Sequence, residues 1–342
     1  MLVRMGRTVR LLSKAAPAGD WRAIKQKNQR SRSVALNDGS KLSFLTAYHG
    51  LLVFNRVKAV TLSETDYVRI ECPNRESIDQ IWQRAHAIRS LVGFGMRRAA
   101  CVDDIVLFIP GGPRAILIFA RSDSGDAHPT MTPLFTRPAL SNKMTHYLRA
   151  WHDNFPKLEA VLALASAADY QSGTYYSLQF LSYAQAIETL HRRTRKGRFE
   201  DHDAYKPTLA VLKRAIPEDL QEDYRKRIES GLNHLNEWSL LQRLYDFYDL
   251  EARNIRRLFP ERDRDMRLIR DVRNYLTHFE DRGRRMEKYI QDRSFVILTR
   301  KLRFFVEMCL LRSIGMSEAT KSKLLAVVRE YQWLATQSHR VA

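Results

Sequence analysis

The chain has 342 residues, enough for two domains of ordinary size. No window approaches the roughly 18 consecutive apolar residues of a transmembrane helix, and three widely spaced cysteines argue against a disulfide framework or a zinc knuckle. The formal net charge of +19 favours a polyanionic partner, with nucleic acid first. The cysteine usage, together with the lack of an apolar leader, predicts a cytoplasmic protein.

Residues 1–33 are predicted to be a basic N-terminal arm. They hold nine Lys and Arg residues against one acid, Asp20. The alternative to a nucleic-acid partner is that the net charge reflects a disordered arm and a solvated surface. The arm is also Arg-rich and acid-poor in the manner of an organellar transit peptide, and an over-extended translation start would look the same.

Residues 34–121 are predicted to form a small β-rich domain with one helix. Four short segments, separated by turn residues, are rich in β-branched and aromatic residues and predict strands: Lys41–Tyr48, Leu51–Phe54, Val57–Leu62 and Tyr67–Cys72. Helical spacing of apolar residues predicts a helix over Glu76–Leu91, with Asn74 as its N-cap. Two further strands, Ile105–Ile109 and Ala115–Ala120, are predicted on either side of a Pro-Gly-Gly-Pro turn.

Residues 122–138 are rich in Ser, Gly, Asp, Thr and Pro, which predicts a linker. Residues 139–342 then carry only helical patterns, and such a run with short loops is typical of a bundle. The predicted helices are Leu140–Tyr170, Thr174–Arg193, Ala204–Ala215, Glu218–Leu235, Ser239–Asp249, Asp263–Phe279, Arg284–Ile314 and Ser317–Leu334. The predicted fold class is α+β: a β-rich N-terminal domain followed by an all-α bundle.

The predicted helix Asp263–Phe279 has two distinct faces when drawn at roughly 100° per residue. Its apolar side is predicted to face the bundle core and contains Leu268, Ile269, Val272, Tyr275, Leu276 and Phe279. Its polar side contains Arg267, Arg270, Asp271, Asn274, Thr277 and His278. Arg273 lies at the border between the two faces, and its five-residue separation from His278 places the two side chains roughly 140° apart.

The polar residues of this helix suit phosphodiester transfer in RNA. A neutral imidazole at His278 can accept the proton of the attacking 2′-OH, because histidine titrates near neutrality. The Arg273 guanidinium is always charged and can bind the phosphate oxygens as negative charge develops on them. Asn274 can orient either group by hydrogen bonding. This spacing alone also fits a solvated helix face with an incidental histidine.

The segment Arg273–His278 resembles the R-x(4–6)-H signature of HEPN domains, in which the arginine is typically followed by a polar residue such as Asn. Phe180–Arg193 resembles the early helix of ApeA-like HEPN proteins, and 236–244 is similar to a mid-domain segment of that family. The β-rich first half also looks like the N-terminal domain of the family, with Ser90–Gly93 closing its helix. It is shorter and less alike, and residues 1–33 have no counterpart.

The resemblance implies a metal-independent endoribonuclease without a cofactor, acting in anti-phage abortive infection in a bacterial cytoplasm. It implies Arg273, Asn274 and His278 as catalytic residues. It also implies a homodimer in which two motif helices form one cleft, with a phage-derived trigger or regulatory partner. Arg267, Arg270 and Thr277, on the same helix face, are predicted to bind RNA.

Two alternatives to a stand-alone ribonuclease remain open from the sequence. The domain could bind RNA without cleaving it, or it could be a toxin restrained by a partner nucleotidyltransferase. Within the bundle, Glu188 and His191 are interpreted as an ordinary exposed pair beside a basic run, and Tyr245, Phe247 and Tyr248 as core packing residues.

Overall fold

The computed structural model describes residues 2–7, 33–50, 62–100, 102, 104–108, 112, 114–118, 132–136, 138–140, 143–170, 175–278 and 284–337. The chain divides into two compact units, residues 1–155 and 156–342. Their boundary falls inside a helix, Met144–Tyr170. The predicted linker, residues 122–138, lies largely outside the described residues, so the domain boundary near residue 138 stays a prediction.

Alternation of apolar and polar residues gives the first unit strands with one buried face. Val34, Leu42, Val68 and Ile70 are buried, whereas neighbouring residues such as Arg69 are exposed. The strands are β1 (Leu2–Arg7), β2 (Ser33–Ala35), β3 (Lys41–Gly50), β4 (Leu62–Glu71), β5 (Asp104–Phe108) and β6 (Arg114–Ile118). Among the described residues they form a six-stranded antiparallel sheet in the order β2-β3-β4-β1-β5-β6.

The start of the predicted basic arm is part of this sheet. Leu2–Arg7 pair with both β4 and β5. Leu2, Val3 and Met5 give this segment enough apolar character for a strand, although its arginines made it look like a charged tail. Residues 8–32 lie outside the described residues, as do the predicted strand Leu51–Phe54 and most of Val57–Leu62.

Helix α1 (Ile78–Met96) overlaps most of the predicted segment Glu76–Leu91 and extends five residues beyond it, but it does not start at the predicted cap. Ser77 is the N-cap, since its side chain accepts a hydrogen bond from the backbone of Gln80 and the Ser77 backbone N–H donates to the Gln80 side chain. The prediction of Asn74 as the cap was wrong because a complete capping box lies three residues further on. α1 contributes Ala85 and Ile88 to the core beside the sheet.

From residue 144 onward, the described residues follow the predicted all-α pattern. Their helices are α2 (Met144–Tyr170), α3 (Tyr176–Thr194), α4 (His202–Arg214), α5 (Glu222–His234), α6 (Leu240–Ile255), α7 (Arg262–His278), α8 (Arg284–Gln291), α9 (Arg293–Ser313), α10 (Glu318–Val327) and α11 (Arg329–Gln337). A small antiparallel sheet followed by a helical bundle confirms the predicted α+β fold class. No helix of the described residues is long and apolar enough to cross a membrane.

Two of the predicted helices are each divided into two. The predicted Arg284–Ile314 breaks at Asp292, whose side chain accepts from the backbone N–H of Ser294 at 2.7 Å and so caps α9. The predicted Ser317–Leu334 breaks at Val328, which is extended (φ −85°, ψ 101°). In both places the apolar periodicity continues across the break, so the sequence pattern predicted one continuous helix.

Helix α9 is the centre of the second unit. Its residues 302–311 are all buried, including Arg303 and Glu307. It packs against α3, α6, α8 and α11, while α7 packs against α3 and α6. Helix α7 is therefore held on its apolar side by two helices that themselves contact the central one.

Candidate active site

Helix α7 is oriented by a stripe of four buried side chains at helical spacing, Met266, Ile269, Val272 and Leu276. Three of them were predicted, and Met266 continues the same stripe one turn earlier. Leu268 and Tyr275, also predicted to face the core, are half-buried, and Phe279 lies outside the described residues.

The opposite side of α7 carries the residues predicted to act on RNA. Asn274, Thr277 and His278 are exposed, and the Arg273 side chain is 34% exposed at the border between the faces. Arg273 Nη1 donates to Asn274 Oδ1 at 3.3 Å, so the structure brings these two side chains together. Within the described part of the chain, His278 makes no hydrogen bond or ion pair with either of them.

Arg273 also faces a carboxylate from another helix. Its Nη2 lies 3.8 Å from Oε2 of Glu188, on α3. The other oxygen of Glu188, Oε1, accepts from Arg192 Nη2 at 3.2 Å and Nε at 3.4 Å. Arg192 in turn pairs through Nη1 with Glu237, just before α6. The sequence interpretation missed this link because Glu188 and Arg273 are more than 80 residues apart in the chain.

The prediction that Glu188 and His191 form an ordinary exposed pair was wrong. Glu188 is mostly covered, and His191 is fully buried. The His191 ring packs edge-on against Phe247, with centroids 5.1 Å apart, and lies beside Trp238 at 5.6 Å. Phe247 and Tyr248 are buried, whereas Tyr245 is half-buried.

The hydrogen bonds of His191 identify its protonation state. Arg243 Nη1 lies 3.2 Å from His191 Nδ1 and can only donate, so Nδ1 accepts. The single ring proton is then on Nε2, which donates to Asp246 Oδ2 at 3.0 Å. Burial, with the positive charges of Arg243 and Arg195, lowers the pKa of His191 to about 4, although Asp246 acts in the opposite direction. His191 is neutral at neutral pH.

A glycine permits the close approach of Arg243 and His191. Gly197 has φ +54°, and a Cβ built there would lie 2.6 Å from Arg243 Nη1 and 3.1 Å from His191 Nδ1. The loop is fixed further by the Trp238 N–H, which donates to the Gly197 carbonyl at 2.9 Å. The end of α3 and the start of α6 are thereby held together.

The other three residues predicted to contact RNA have different surroundings. Arg267 is exposed, and a hydrogen bond with the Tyr245 hydroxyl raises its pKa. Arg270 Nε and Nη2 pair with Asp271 at 2.8 and 2.6 Å. The Thr277 hydroxyl donates to the Arg273 carbonyl at 2.8 Å. This hydrogen bond must break before the hydroxyl can donate to a phosphate.

In the described part of the chain, no group of three or more His, Cys, Asp and Glu side chains is placed to bind a metal ion. Asp201, His202 and Asp203 are exposed at the start of α4. They form no such group.

The second unit thus belongs to the class of all-α domains that present a polar motif on the solvent side of one helix. Residues 181–320 match the family model described as Apea-like HEPN, so the chain carries an Apea-like HEPN domain. The match covers less than half of the chain and includes all six predicted site residues. An HEPN domain indicates an RNA-related, ribonuclease-type function. No curated protein and no solved structure matches the chain.

Proposed function

We propose that this protein is a metal-independent HEPN endoribonuclease that acts in bacterial anti-phage defence by abortive infection. The observation that carries the proposal is the position of Asn274 and His278 on the exposed side of α7, with Arg273 at its border, within the Apea-like HEPN domain.

In the proposed reaction, the 2′-oxygen of a ribose attacks the adjacent phosphorus and the bond from phosphorus to the 5′-oxygen breaks. The products are a 2′,3′-cyclic phosphate and a 5′-hydroxyl end. His278 accepts or relays the 2′-OH proton, which the leaving 5′-oxygen finally takes up. Arg273 donates to the phosphate oxygens as their charge grows, and Asn274 orients the guanidinium through the 3.3 Å hydrogen bond.

A homodimer is part of the proposal because Arg273 and His278 diverge by roughly 140° around α7. One phosphate cannot easily contact both side chains of a single helix. Two α7 helices facing each other across a two-fold axis would place Arg273 of one protomer beside the His278 of its partner. The RNA would then be bound by Arg267 and Arg270 on both sides of the cleft.

The β-rich unit is proposed to sense the infection signal or to keep the HEPN domain inactive. Met144 and Leu148 of α2 belong to the core of this unit, so a deletion of residues 1–138 would leave them uncovered. A deletion of residues 1–155 follows the structural boundary instead, and Pro156 would then occupy a first-turn position, where proline is tolerated. The deletion is expected to increase toxicity or to abolish the response to phage.

The proposal is tested by incubating total RNA with the purified protein in EDTA and mapping the new ends. Cyclic-phosphate and 5′-hydroxyl ends are expected from the wild type. Removing a donor to the developing oxyanion typically costs roughly 100- to 1000-fold in rate, so Arg273→Ala should be nearly inactive, as should His278→Ala. The matched controls are Arg214→Ala and His202→Ala, which change exposed residues of α4.

Three results would contradict the proposal. The first is cleavage that depends on an added metal, and the second is cleavage that survives both α7 substitutions. The third is RNA that is retarded on a gel but left intact, which would favour a non-catalytic RNA-binding module. A strong loss of toxicity on co-expression with a neighbouring nucleotidyltransferase would instead favour a partner-controlled toxin.

A further inference from the structure

Charges of alternating sign extend from the candidate catalytic arginine into the domain. Arg273 meets Glu188 at 3.8 Å, Glu188 meets Arg192 at 3.2 Å, and Arg192 pairs with Glu237. Glu237 also lies 3.7 Å from the buried Arg243. Each carboxylate therefore lies between two guanidiniums. For Glu188 these are the guanidiniums of Arg273 and Arg192, one at each carboxylate oxygen.

The surroundings of Glu188 make it a firmer support than a surface carboxylate. It lies on α3, which packs against α6, α7 and α9, and its side chain is 21% exposed. Arg192 is four residues further along the same helix, so Oε1 is held within α3 itself. Oε2 is then directed at Arg273 from a fixed position, in surroundings where water screens the attraction less than at an open surface.

The contact leaves Arg273 able to bind a phosphate. A separation of 3.8 Å is an ion pair but too long for a good hydrogen bond, so the donors of Arg273 are not consumed by Glu188. A guanidinium has five N–H donors, and the described hydrogen bonds of Arg273 use one of them, for Asn274. The guanidinium is oriented but still has donors for two phosphate oxygens.

We propose that Glu188 is a positioning residue for Arg273, and that Arg192 keeps Glu188 from binding Arg273 too tightly. This inference rests on the proposed ribonuclease function. Glu188 does not touch the reacting atoms; it narrows the positions open to a long and flexible side chain. Arg192 shares the negative charge of Glu188, so that an incoming phosphate can compete for Arg273.

The decisive experiment compares Glu188→Gln with the wild type on a short RNA that carries a mapped cleavage site. A positioning role predicts that kcat falls about 10-fold while KM does not rise, because the substitution removes a negative charge near bound RNA. Glu188→Asp, which keeps the charge at a shorter reach, should be intermediate. An unchanged or increased kcat in Glu188→Gln would overturn the proposal, since the carboxylate would then only repel RNA.

The matched control is Glu229→Gln. Glu229 pairs with Arg225 at 3.5 Å on α5, with both side chains partly exposed, and its substitution alters the net charge by the same amount. Its kinetics should match the wild type. An equal fall in kcat in this control would also overturn the proposal, because the effect would then come from net charge.

The role of Arg192 gives a prediction in the other direction. In Arg192→Gln, Arg273 becomes the main cation beside Glu188. Glu188 should then compete with the phosphate for the Arg273 guanidinium. KM for RNA is expected to rise several-fold, and more than in the exposed control Arg214→Gln. A KM that stays at the wild-type value would contradict the assigned role of Arg192.

A readout that needs no catalysis separates this inference from the proposed function. Phenylglyoxal modifies accessible guanidiniums, and the rate at Arg273 can be followed by peptide mass spectrometry. Glu188→Gln should raise that rate several-fold while leaving Arg214 unchanged. If the wild type does not cut RNA but this change occurs, the ribonuclease proposal fails and the positioning contact stands; if cutting occurs and the rate is unchanged, only the positioning proposal fails.

Discussion

Arg243 Nη1 lies 3.2 Å from Nδ1 of His191, a contact that a protonated imidazole could not accept. The same histidine donates to Asp246, so only the neutral ring makes both contacts between α3 and α6. Burial opposes ionisation of Asp246, but the hydrogen bonds from Arg195 and His191 outweigh it and hold the pKa of Asp246 below its usual value. The link between the two helices therefore has a defined pH range.

The first prediction concerns stability in acid. The pKa of His191 is lowered from 6.5 to about 4 by burial, so the unfolded chain takes up a proton that the folded chain resists. The stabilisation from His191 is complete above about pH 6.5 and is lost as the pH falls toward 4, where the loss amounts to roughly 3 kcal/mol.

Urea unfolding of wild type and His191→Gln at several pH values measures this effect. The variant is expected to be less stable at pH 7 but to lose less stability between about pH 6.5 and 4.5. Parallel pH dependences in the two proteins would show that His191 is not the group responsible.

The second prediction concerns Gly197. In Gly197→Ala the new methyl group would lie 2.6 Å from Arg243 Nη1, on a backbone with φ +54° that disfavours side chains. The expected loss of stability is about 2 kcal/mol, measured by chemical or thermal unfolding.

Gly231→Ala is the matched control. Gly231 lies within α5, and a Cβ there would have no heavy atom within 4 Å. Alanine is the better helix former, so the change should stabilise the protein by about 0.5–1 kcal/mol. Equal effects of the two substitutions would contradict the packing described around Arg243.

The third prediction tests the shared cleft. Arg273→Ala and His278→Ala are each expected to be inactive as homodimers. In a mixed dimer, one of the two sites would combine the intact Arg273 of one protomer with the intact His278 of its partner. Random mixing of subunits should thus restore roughly a quarter of the wild-type activity. Activity that never returns, in samples shown by mass to contain mixed dimers, would mean that both residues act from the same chain.

The amphipathic pattern of α7 is the part of the site that the sequence predicts best. Ile269, Val272 and Leu276 are buried as expected, because their positions depend only on helical periodicity. The Glu188–Arg273 contact could not be predicted, since it depends on how α3 packs against α7. The burial of His191 could not be predicted for a similar reason. Its hydrogen-bond partners Arg243 and Asp246 lie more than 50 residues away in the chain, and they satisfy both ring nitrogens.

The fold shows the same division between local and distant effects. The helices of the second unit follow from apolar spacing, but the breaks at Asp292 and Val328 interrupt no such spacing. The strand β1 was interpreted as part of a charged arm. Its pairing with β4 is a contact between residues more than 55 positions apart in sequence, which no short window contains.

The fourth prediction concerns RNA binding by the arginines of α7. Arg267 is exposed and lies beside Tyr245, whereas Arg270 is paired with the neighbouring Asp271. A phosphate must displace Asp271 to reach Arg270 but meets no carboxylate pair at Arg267 among the described residues. Arg267→Gln should therefore weaken binding of total RNA more than Arg270→Gln does.

Fluorescence titrations at several salt concentrations measure this difference, on a His278→Ala background so that the RNA stays intact. Removing one arginine that binds a phosphate should reduce the slope of log affinity against log salt by roughly 0.7 for a single strand. A reduced slope is expected in Arg267→Gln and an unchanged one in Arg214→Gln, which removes an exposed arginine of α4. If the α4 variant reduces the slope as much as the α7 variant, the RNA is held by the overall positive charge of the domain rather than by the face of α7.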